Sequence, residues 1–449
     1  MGRFTTSAEM VDDGVTSGDE FVLWLKQQRE EHPHEVTRIP FADLDGWDFD
    51  GRTGNLAHRS GRFFTIEGVR VQTDHATWEQ PIIDQPEIGI LGILVKEFGG
   101  VLHCLIQAKA EPGNPDGLQL CPTVQATRSN YTGAHGGRAV PYLEYFRGEG
   151  GARTLVDSLQ SEQTSWFLGK RNRNVVVEVS TDVPLLEGFC WLTIGQLHQL
   201  LLTDNRVNMD TRTVLSCIPF GVPGGPARGD APPEYREGLL RSMAPAAPSL
   251  HTDGEVLGWL TEIRARREFR RRVVPLADIG HWHRSDDEIA HDEGTFFRVI
   301  AVDVRAGNRE VTRWTQPLLA PVGPGRVTLL VRRIGGVLHL LLQARSSAGV
   351  FDLAELAPTV QYRPGNYAED PPFAGFCGGQ TRYDTVQSEE GGRFHHALNR
   401  YQIIEIDDEV EAPEGFRWLT VHQVTRLLEH GNYVNVEMRS LLAGLHVTW

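Results

Sequence analysis

One polar block occurs twice in this sequence, and the repeat limits the folds that the chain can adopt. The first copy reads Leu-Cys-Pro-Thr-Val-Gln at 120–125, followed by Asn130 and Tyr131. The second reads Leu-Ala-Pro-Thr-Val-Gln at 356–361, followed by Asn366 and Tyr367, so every residue except Cys121 recurs 236 positions later. Self-similarity at a fixed spacing indicates a duplicated unit. Repeated polar residues favour a functional site, and the structural alternative is a turn held twice by Pro and Asn.

Further paired segments extend the repeat over most of the chain. These are Ser17–Glu20 and Thr252–Glu255, Trp-x-Gln-Pro at 78–81 and 314–317, Gly-Gly at 99–100 and 335–336, Gln-Ser-Glu at 160–162 and 387–389, and Trp-Leu-Thr at 191–193 and 418–420. The spacing is 227 residues from the Gln-Ser-Glu pair onward, so the first half carries an insertion between the two blocks.

The order of elements within each half predicts an α+β fold. Ser17–Glu20 and Thr252–Glu255 are capping boxes that start helices. Gly-Gly between two apolar runs predicts a β-hairpin, because both turn residues can adopt positive φ. Helix, strands, hairpin, loops and terminal helices therefore form tandem α+β units with largely antiparallel or mixed sheets. We expect domains at 1–218 and 251–449, joined by a Pro/Gly-rich linker at 219–250.

Composition excludes several classes of protein. The net charge is −15 without a long basic run, which argues against nucleic acid as a partner but not against a nucleotide ligand. The five cysteines are scattered and lack CxxC spacing, which favours reduced thiols in the cytoplasm and no zinc site. The N-terminus lacks the apolar segment of a signal peptide, and the apolar runs are too short to span a membrane.

Several common catalytic motifs are absent from the sequence. It contains no Gly-x-Gly-x-x-Gly after a strand, no Walker A sequence, no HExxH and no Gly-x-Ser-x-Gly. We therefore expect no cofactor and no protein-held metal.

The Gln-Ser-Glu blocks are the best candidates for chemistry. Glu162 and Glu389 can act as general acid or base if a pocket shifts their pKa, and a surface loop is the alternative. Arg173 and Arg400 each follow an Asn, and a guanidinium suits a diphosphate, although a surface ion pair explains it equally.

Together, these motifs resemble those of the NDP-hexose 2,3-dehydratases, lyases of deoxysugar pathways that serve natural-product and antibiotic glycosylation. The likeness covers nearly the whole chain. It implies a duplicated Nudix-like α+β fold, a homodimer, a dTDP-4-keto-6-deoxyhexose substrate and a 3-ketoreductase that acts on the product. The Nudix catalytic box is absent apart from a partial match at Arg29–Glu31, so the resemblance does not imply hydrolase activity.

The implied reaction is an elimination without net redox change. The C4 ketone acidifies the C3 proton, a base removes it, and the C2 hydroxyl leaves with help from an acid. The enol then tautomerises to a 2,6-dideoxy-3,4-diketo sugar. Donors aimed at the C4 oxygen should matter most, because negative charge develops there.

The candidate site contains residues from both halves. The catalytic candidates are Glu162, Glu389, Tyr131 and Tyr367. The substrate-binding candidates are Trp78, Gln80, Gln125, Asn130, Gln160, Ser161, Arg173, Trp314, Gln316, Gln361, Asn366, Gln387, Ser388, Asn399 and Arg400. Within this set a tyrosine and a glutamine would contact the oxyanion or the sugar, a tryptophan would stack on a ring, and an arginine would bind the diphosphate.

Two questions stay open at the level of sequence. Both halves keep the motif residues, so one site or two are equally compatible with them, although Gln163 aligns with Glu390 and Trp166 with Arg393. The alternative functions are a Nudix-type hydrolase of a nucleotide sugar, which needs magnesium, and a non-enzymatic module that binds a nucleotide sugar.

Overall fold

The computed structural model describes residues 2–74, 76–127, 139–221, 224, 231–307, 311–376, 378–407 and 409–448. Within them lie nine α-helices: α1 (Gly2–Glu9), α2 (Gly18–Glu31), α3 (Leu143–Phe146), α4 (Ile194–Leu200), α5 (Met209–Ser216), α6 (Pro233–Met243), α7 (Asp253–Arg266), α8 (Val421–Leu427) and α9 (Val436–Leu445).

The strands fall into two matching series. The first half contains β1 (His34–Ile39), β2 (Trp47–Phe49), β3 (Leu56–His58), β4 (Thr65–Thr73), β5 (Thr77–Asp84), β6 (Gly89–Phe98), β7 (Val101–Ala110), β8 (Leu118–Pro122), β9 (Val124–Ala126), β10 (Arg153–Ser161), β11 (Arg171–Val179) and β12 (Phe189–Thr193). The second contains β13 (Phe269–Val274), β14 (Trp282–Arg284), β15 (Glu288–His291), β16 (Phe297–Ala306), β17 (Arg313–Pro321), β18 (Gly325–Ile334), β19 (Val337–Arg345), β20 (Glu355–Ala357), β21 (Val360–Tyr362), β22 (Gln380–Ser388), β23 (Leu398–Glu405) and β24 (Phe416–Thr420).

Each half contains a seven-stranded mixed sheet. In the first half the order is β10-β11-β6-β7-β12, with β8 on β7 and β9 on β6. The second sheet repeats this arrangement with β22-β23-β18-β19, where β20 and β24 both pair with β19 and β21 pairs with β18. The central pair is parallel in each, β11 with β6 and β23 with β18. The predicted α+β class with mixed sheets is thus confirmed.

The two smaller sheets exchange one strand between the halves. Strand β1 of the first half pairs antiparallel with β16 of the second, with His34 opposite Ala306. Reciprocally, β13 of the second half pairs with β4 of the first, with Phe269 opposite Thr73. Neither half therefore completes its five-stranded sheet alone.

Local sequence explains the ends of the main elements. The Ser17 and Thr252 hydroxyls accept hydrogen bonds from the N–H groups of Glu20 and Glu255, which completes both predicted capping boxes. The Gly-Gly turns at 99–100 and 335–336 have positive φ at every position, as the hairpin prediction requires.

A continuous core joins the halves through the last helix of each. Arg212 of α5 and Arg439 of α9 are both buried there. Arg212 donates to the Ser388 carbonyl at 2.8 Å, and Arg439 donates to the Ser161 carbonyl. Each half thus holds the Gln-Ser-Glu block of the other, because a buried guanidinium must satisfy its donors inside the protein.

The segment 219–250 contains an ordered helix, α6, which buries Tyr235 and Leu239. In α6 the Ser242 hydroxyl accepts the Val421 N–H at 2.8 Å. In the first half the Ser7 hydroxyl of α1 accepts the Ile194 N–H at 3.0 Å, so α1 and α6 occupy equivalent places. Among the described residues, no helix has the length and apolar character needed to cross a membrane.

Candidate active site

A cavity of about 530 Å³ opens in the first half and is closed by side chains of the second. This volume is typical of sites for small organic ligands. The first half contributes Lys109, Glu111, Gln125, Glu162, Lys170, Asn172 and Asp210 to its wall. The second contributes Arg313, Trp314, Gln316, Glu390 and Arg393.

The β10–β11 hairpin places Glu162 beside Lys170. The Glu162 N–H donates to the Lys170 carbonyl at 2.9 Å, so the two residues lie opposite each other where the hairpin strands meet. The Asn172 amide donates to Glu162 Oε2, and the Gln163 N–H donates to Oε1 at 3.3 Å. Burial raises the pKa of Glu162, and the positive charges of Lys170 and Arg439 oppose that rise. Two donors and a nearby ammonium support the anionic form of this carboxyl.

Burial acts on Lys170 in the opposite direction. It lowers the pKa of the Lys170 ammonium, while the negative charge of Glu162 works to raise it. The pair is therefore mutually stabilised inside the cavity wall.

Glu390 enters the cavity from the second half. The Gly392 N–H donates to Glu390 Oε1 at 2.8 Å, whereas the buried Oε2 has no hydrogen-bond partner among the described residues. Removal from water, followed by repulsion from Glu111, raises the pKa of Glu390 to about 7, and Arg393 opposes this shift. This carboxyl can therefore carry or release a proton near neutral pH.

Three further polar side chains, those of Asn208, Asp210 and Gln125, lie near the N-terminus of α5. Asn208 caps this helix, and Asp210 follows in its first turn. Burial and then repulsion from nearby carboxylates raise the pKa of Asp210 well above its usual value. Gln125 donates to Glu111 at 3.1 Å and accepts from Asn208 at 3.2 Å, which fixes its amide in the cavity wall.

The second-half wall of the cavity is held by the Trp-x-Gln-Pro motif. Trp314 Nε1 donates to Gln316 Oε1 at 2.8 Å, and the Gln316 amide donates to the Gly392 carbonyl at 2.7 Å. This chain fixes the loop that carries Glu390. The Arg393 guanidinium lies 4.5 Å from the centre of the Phe64 ring, which also lines the cavity.

The equivalent place in the second half is filled by protein side chains. Glu389, the counterpart of Glu162, accepts hydrogen bonds from Gln163, Asn399 and Tyr401, the last at 2.6 Å. Arg363 lies 5.3 Å from the Trp166 ring centre and donates to the Gly323 carbonyl. Thr127 and Asn174 of the first half align with Arg363 and Tyr401 of the second, and Arg393, which lines the cavity, aligns with Trp166.

The sequence matches the family of NDP-hexose 2,3-dehydratases over residues 18–218 and 253–445. The chain belongs to this family. Three relatives are named dTDP-4-dehydro-6-deoxy-alpha-D-glucopyranose 2,3-dehydratase. The one from Saccharopolyspora spinosa is 51% identical, with 100% of this chain and 95% of the relative aligned. Those from Amycolatopsis orientalis and Streptomyces violaceoruber are each 47% identical, over 98% and 96% of this chain and 93% and 97% of the relatives.

In this family member, four of the predicted site residues line the cavity. They are Gln125, Glu162, Trp314 and Gln316. Asn130 and Tyr131 lie outside the described residues.

The Gln and Ser of the two Gln-Ser-Glu blocks face the junction between the halves. Gln160 donates to the Leu428 carbonyl at 2.8 Å, and Gln387 donates to the Leu201 carbonyl at 3.1 Å. These carbonyls belong to helix ends, which leave backbone acceptors without intrahelical partners. The Ser161 hydroxyl accepts from Arg439 at 3.5 Å, and Ser388 bonds to Gln119.

The remaining predicted residues bind other parts of the protein. Arg173 and Arg400 pair with Asp157 and Asp384 across their hairpins. Other members of the set also have protein partners: Trp78 donates to Gln80, Gln80 to the Ser165 carbonyl and Asn399 to Glu389, whereas Gln361 accepts from Asn435 and Asn366 accepts from the Phe296 N–H. Tyr367 is exposed.

Most charged groups of the cavity lie outside the set of residues predicted from the repeated motifs. Lys109, Glu111, Lys170, Asp210, Glu390 and Arg393 were not among the candidates, although each lines it. Four of them are positions where the copies differ in chemistry: Glu111 aligns with Ser347, Lys170 with Ala397, Glu390 with Gln163 and Arg393 with Trp166. In the sequence, these four cavity residues are therefore distinguished by the difference between the two copies at their positions.

Proposed function

We propose that this chain is a lyase that removes water across C2 and C3 of dTDP-4-dehydro-6-deoxyglucose. Membership of the family and the names of three relatives support the reaction and the substrate. The observation that carries the proposal is a cavity in which Glu162 of one half and Glu390 of the other supply two carboxyls in different environments. Carboxyls set apart in this way are suited to separate base and acid roles.

Glu162 acts as the base in this proposal. Its carboxylate accepts hydrogen bonds from Asn172 and the Gln163 N–H and lies beside Lys170. These contacts stabilise the anion that takes the proton from C3. The C3–H electron pair moves into the C3–C4 bond and the ketone becomes an enolate.

Glu390 acts as the acid. Its Oε2 accepts no hydrogen bond from the described residues, and its pKa of about 7 leaves a substantial protonated fraction at neutral pH. The enolate pair expels the C2 oxygen, which leaves as water with the proton of Glu390. The resulting C2–C3 enol gains a proton at C2 and loses its hydroxyl proton, which yields the 3,4-diketo sugar.

The wall from the second half suits the nucleotide part of the substrate. Trp314 offers an aromatic face held by Gln316, and aromatic faces stack on bases and sugars. Arg393 lines the same wall, as does Arg313, which pairs with Asp303, and guanidinium groups bind diphosphate oxygens in pairs. These two arginines therefore replace Arg173 and Arg400 in the proposed binding site.

Other expectations from the resemblance also belong to this proposal. The diketo product is reactive, so we propose that a 3-ketoreductase consumes it. We further propose a homodimer in the cytoplasm, without nucleic acid, membrane, cofactor or metal as partner. The Nudix-like fold also stays a prediction.

The direct test is mass spectrometry of the purified protein incubated with the substrate in heavy water, with a 3-ketoreductase present to trap the product. We expect loss of one water and deuterium at C2. Intact substrate, or release of nucleoside monophosphate as a hydrolase would give, contradicts the proposal.

The pH dependence of kcat/KM tests the acid. Glu390 must be protonated, so the rate should fall above a pKa of about 7, tenfold for each further pH unit. Glu390→Gln should reduce elimination by roughly 10²–10⁴-fold and remove this alkaline limb. A Glu390→Gln variant that keeps both the rate and the limb would assign the acid elsewhere.

A further inference from the structure

Lys170 lines the cavity but is neither the proposed acid nor the proposed base. It comes directly before β11 and opposite Glu162, and its side chain is buried. Lys170 Nζ donates to the Glu87 carbonyl at 3.3 Å, the single hydrogen bond that its ammonium makes to the described residues. An ammonium has three donors, so donors are left for a ligand in the cavity.

The second half shows that the hairpin does not need this cation. There the Glu389 N–H donates to the carbonyl of Ala397, so the same backbone geometry forms with a methyl side chain. The positive charges of Arg212 and then Arg363 act on Glu389, and Arg363 bonds to Gly323 and to Asn399 at 3.3 Å. A lysine on the hairpin is thus specific to the half that has the cavity.

We propose that the Lys170 ammonium binds the C4 oxygen of the keto sugar and stabilises the enolate. This rests on the proposed function. C3 and C4 are bonded neighbours, so the base for the C3 proton and the donor for the C4 oxygen must lie side by side. The cross-hairpin hydrogen bond between Glu162 and Lys170 produces that arrangement.

The step balances in charge and atoms. The C3–H bond breaks and its proton goes to Glu162, while the electron pair forms the C3–C4 double bond and moves the carbonyl pair onto the C4 oxygen. Lys170 keeps its protons and neutralises the new negative charge. When the C2–O bond breaks, the pair returns and the C4 carbonyl re-forms. A donor fixed before reaction needs no reorganisation, and loss of such a donor typically costs about 10²–10³-fold in rate.

The test separates C3–H cleavage from binding. Lys170→Met should bind dTDP-glucose, which has a C4 hydroxyl and no ketone, as the wild type does by calorimetry. With the keto substrate, C3–H cleavage, measured by NMR as deuterium wash-in at C3 together with product formation, should fall by roughly 10²–10³-fold. Lys170→Arg should recover part of the rate because it keeps a charged donor.

The matched control is Arg363→Met, which removes one of the two cations that act on Glu389 and should leave C3–H cleavage unchanged. Unchanged cleavage in Lys170→Met overturns the inference, and so does a loss of dTDP-glucose affinity equal to the loss of rate. Borohydride trapping of substrate on Lys170 would replace the hydrogen bond by a covalent imine and also overturn it. If the wild type itself performs no elimination, the proposed function has failed instead.

Discussion

The two halves of the molecule place a glutamate at the same point of the same hairpin and surround it differently. Glu162 lies opposite Lys170 and lines an open cavity. Glu389 lies opposite Ala397 and is enclosed by Gln163, Asn399 and Tyr401. One backbone arrangement therefore supports both a site and a closed core, and neighbouring side chains decide which of them forms.

The difference also separates two kinds of repeated residue. Some residues are identical in the two copies, and each of them bonds to a carbonyl of the opposite half, which keeps the halves together. Examples are Arg212 and its counterpart Arg439, and Gln160 and its counterpart Gln387. Residues that differ between the copies, such as Glu390 and Gln163, determine the chemistry of each position. The two copies thus share the scaffold and the glutamate at this position, and the side chains around that glutamate differ between them.

The test with the largest expected effect replaces each of the two equivalent glutamates, one at a time, by glutamine. Glu162→Gln should lower elimination by roughly 10²–10⁴-fold because it removes the proposed base. Glu389→Gln should leave elimination close to the wild-type rate while changing thermal stability, since this side chain bonds only within the closed core. The measurement is single-turnover product formation beside a melting curve. Equal losses in both variants would mean that both halves take part in the reaction.

The paired arginines test the shared scaffold. Arg212→Met and Arg439→Met each remove hydrogen bonds to buried carbonyls, among them those of Ser388 and Ser161. A buried acceptor left without a partner costs about 1–3 kcal/mol, so both variants should lose a few kcal/mol in free energy of unfolding by similar amounts. Denaturant unfolding measures this. If only one variant lost stability, the two arginines would contribute unequally to the junction although their contacts are equivalent.

A smaller effect is expected at the two tryptophans. Trp314 lines the cavity, whereas Trp78 packs on β4 and β5 of the first half. Stacking on a base is worth about 1–3 kcal/mol, so Trp314→Leu should raise KM about tenfold or more. Trp78→Leu should leave KM unchanged and lower stability. Steady-state kinetics on both variants would show whether the second-half wall binds substrate.

The local parts of the fold follow from the sequence. The capping boxes at Ser17 and Thr252 each depend on residues only a few positions apart, and so do the Gly-Gly turns. The local amino-acid sequence therefore specifies them. The exchange of β1 and β13 was missed. A repeat fixes which strands are equivalent but not which copy each one pairs with.

The repeated polar residues include some that line the cavity and others that hold the two halves together. Gln160 looked functional because it is polar and repeated, yet its amide satisfies a helix carbonyl. Glu390 looked like a departure from the pattern, yet it enters the cavity of the other half. No spacing rule connects Glu390 with Glu162, because the contact depends on how the halves pack.

The exchanged strands have a consequence for how the chain acquires its structure during synthesis. Strand β4 emerges early, but its partner β13 is about 200 residues further along the chain. Until then β4 carries an open edge, and unpaired edges recruit other chains. Contacts so distant in sequence also slow folding, because long loops must close first. We therefore expect the nascent first half to depend on chaperones until β13 has been translated.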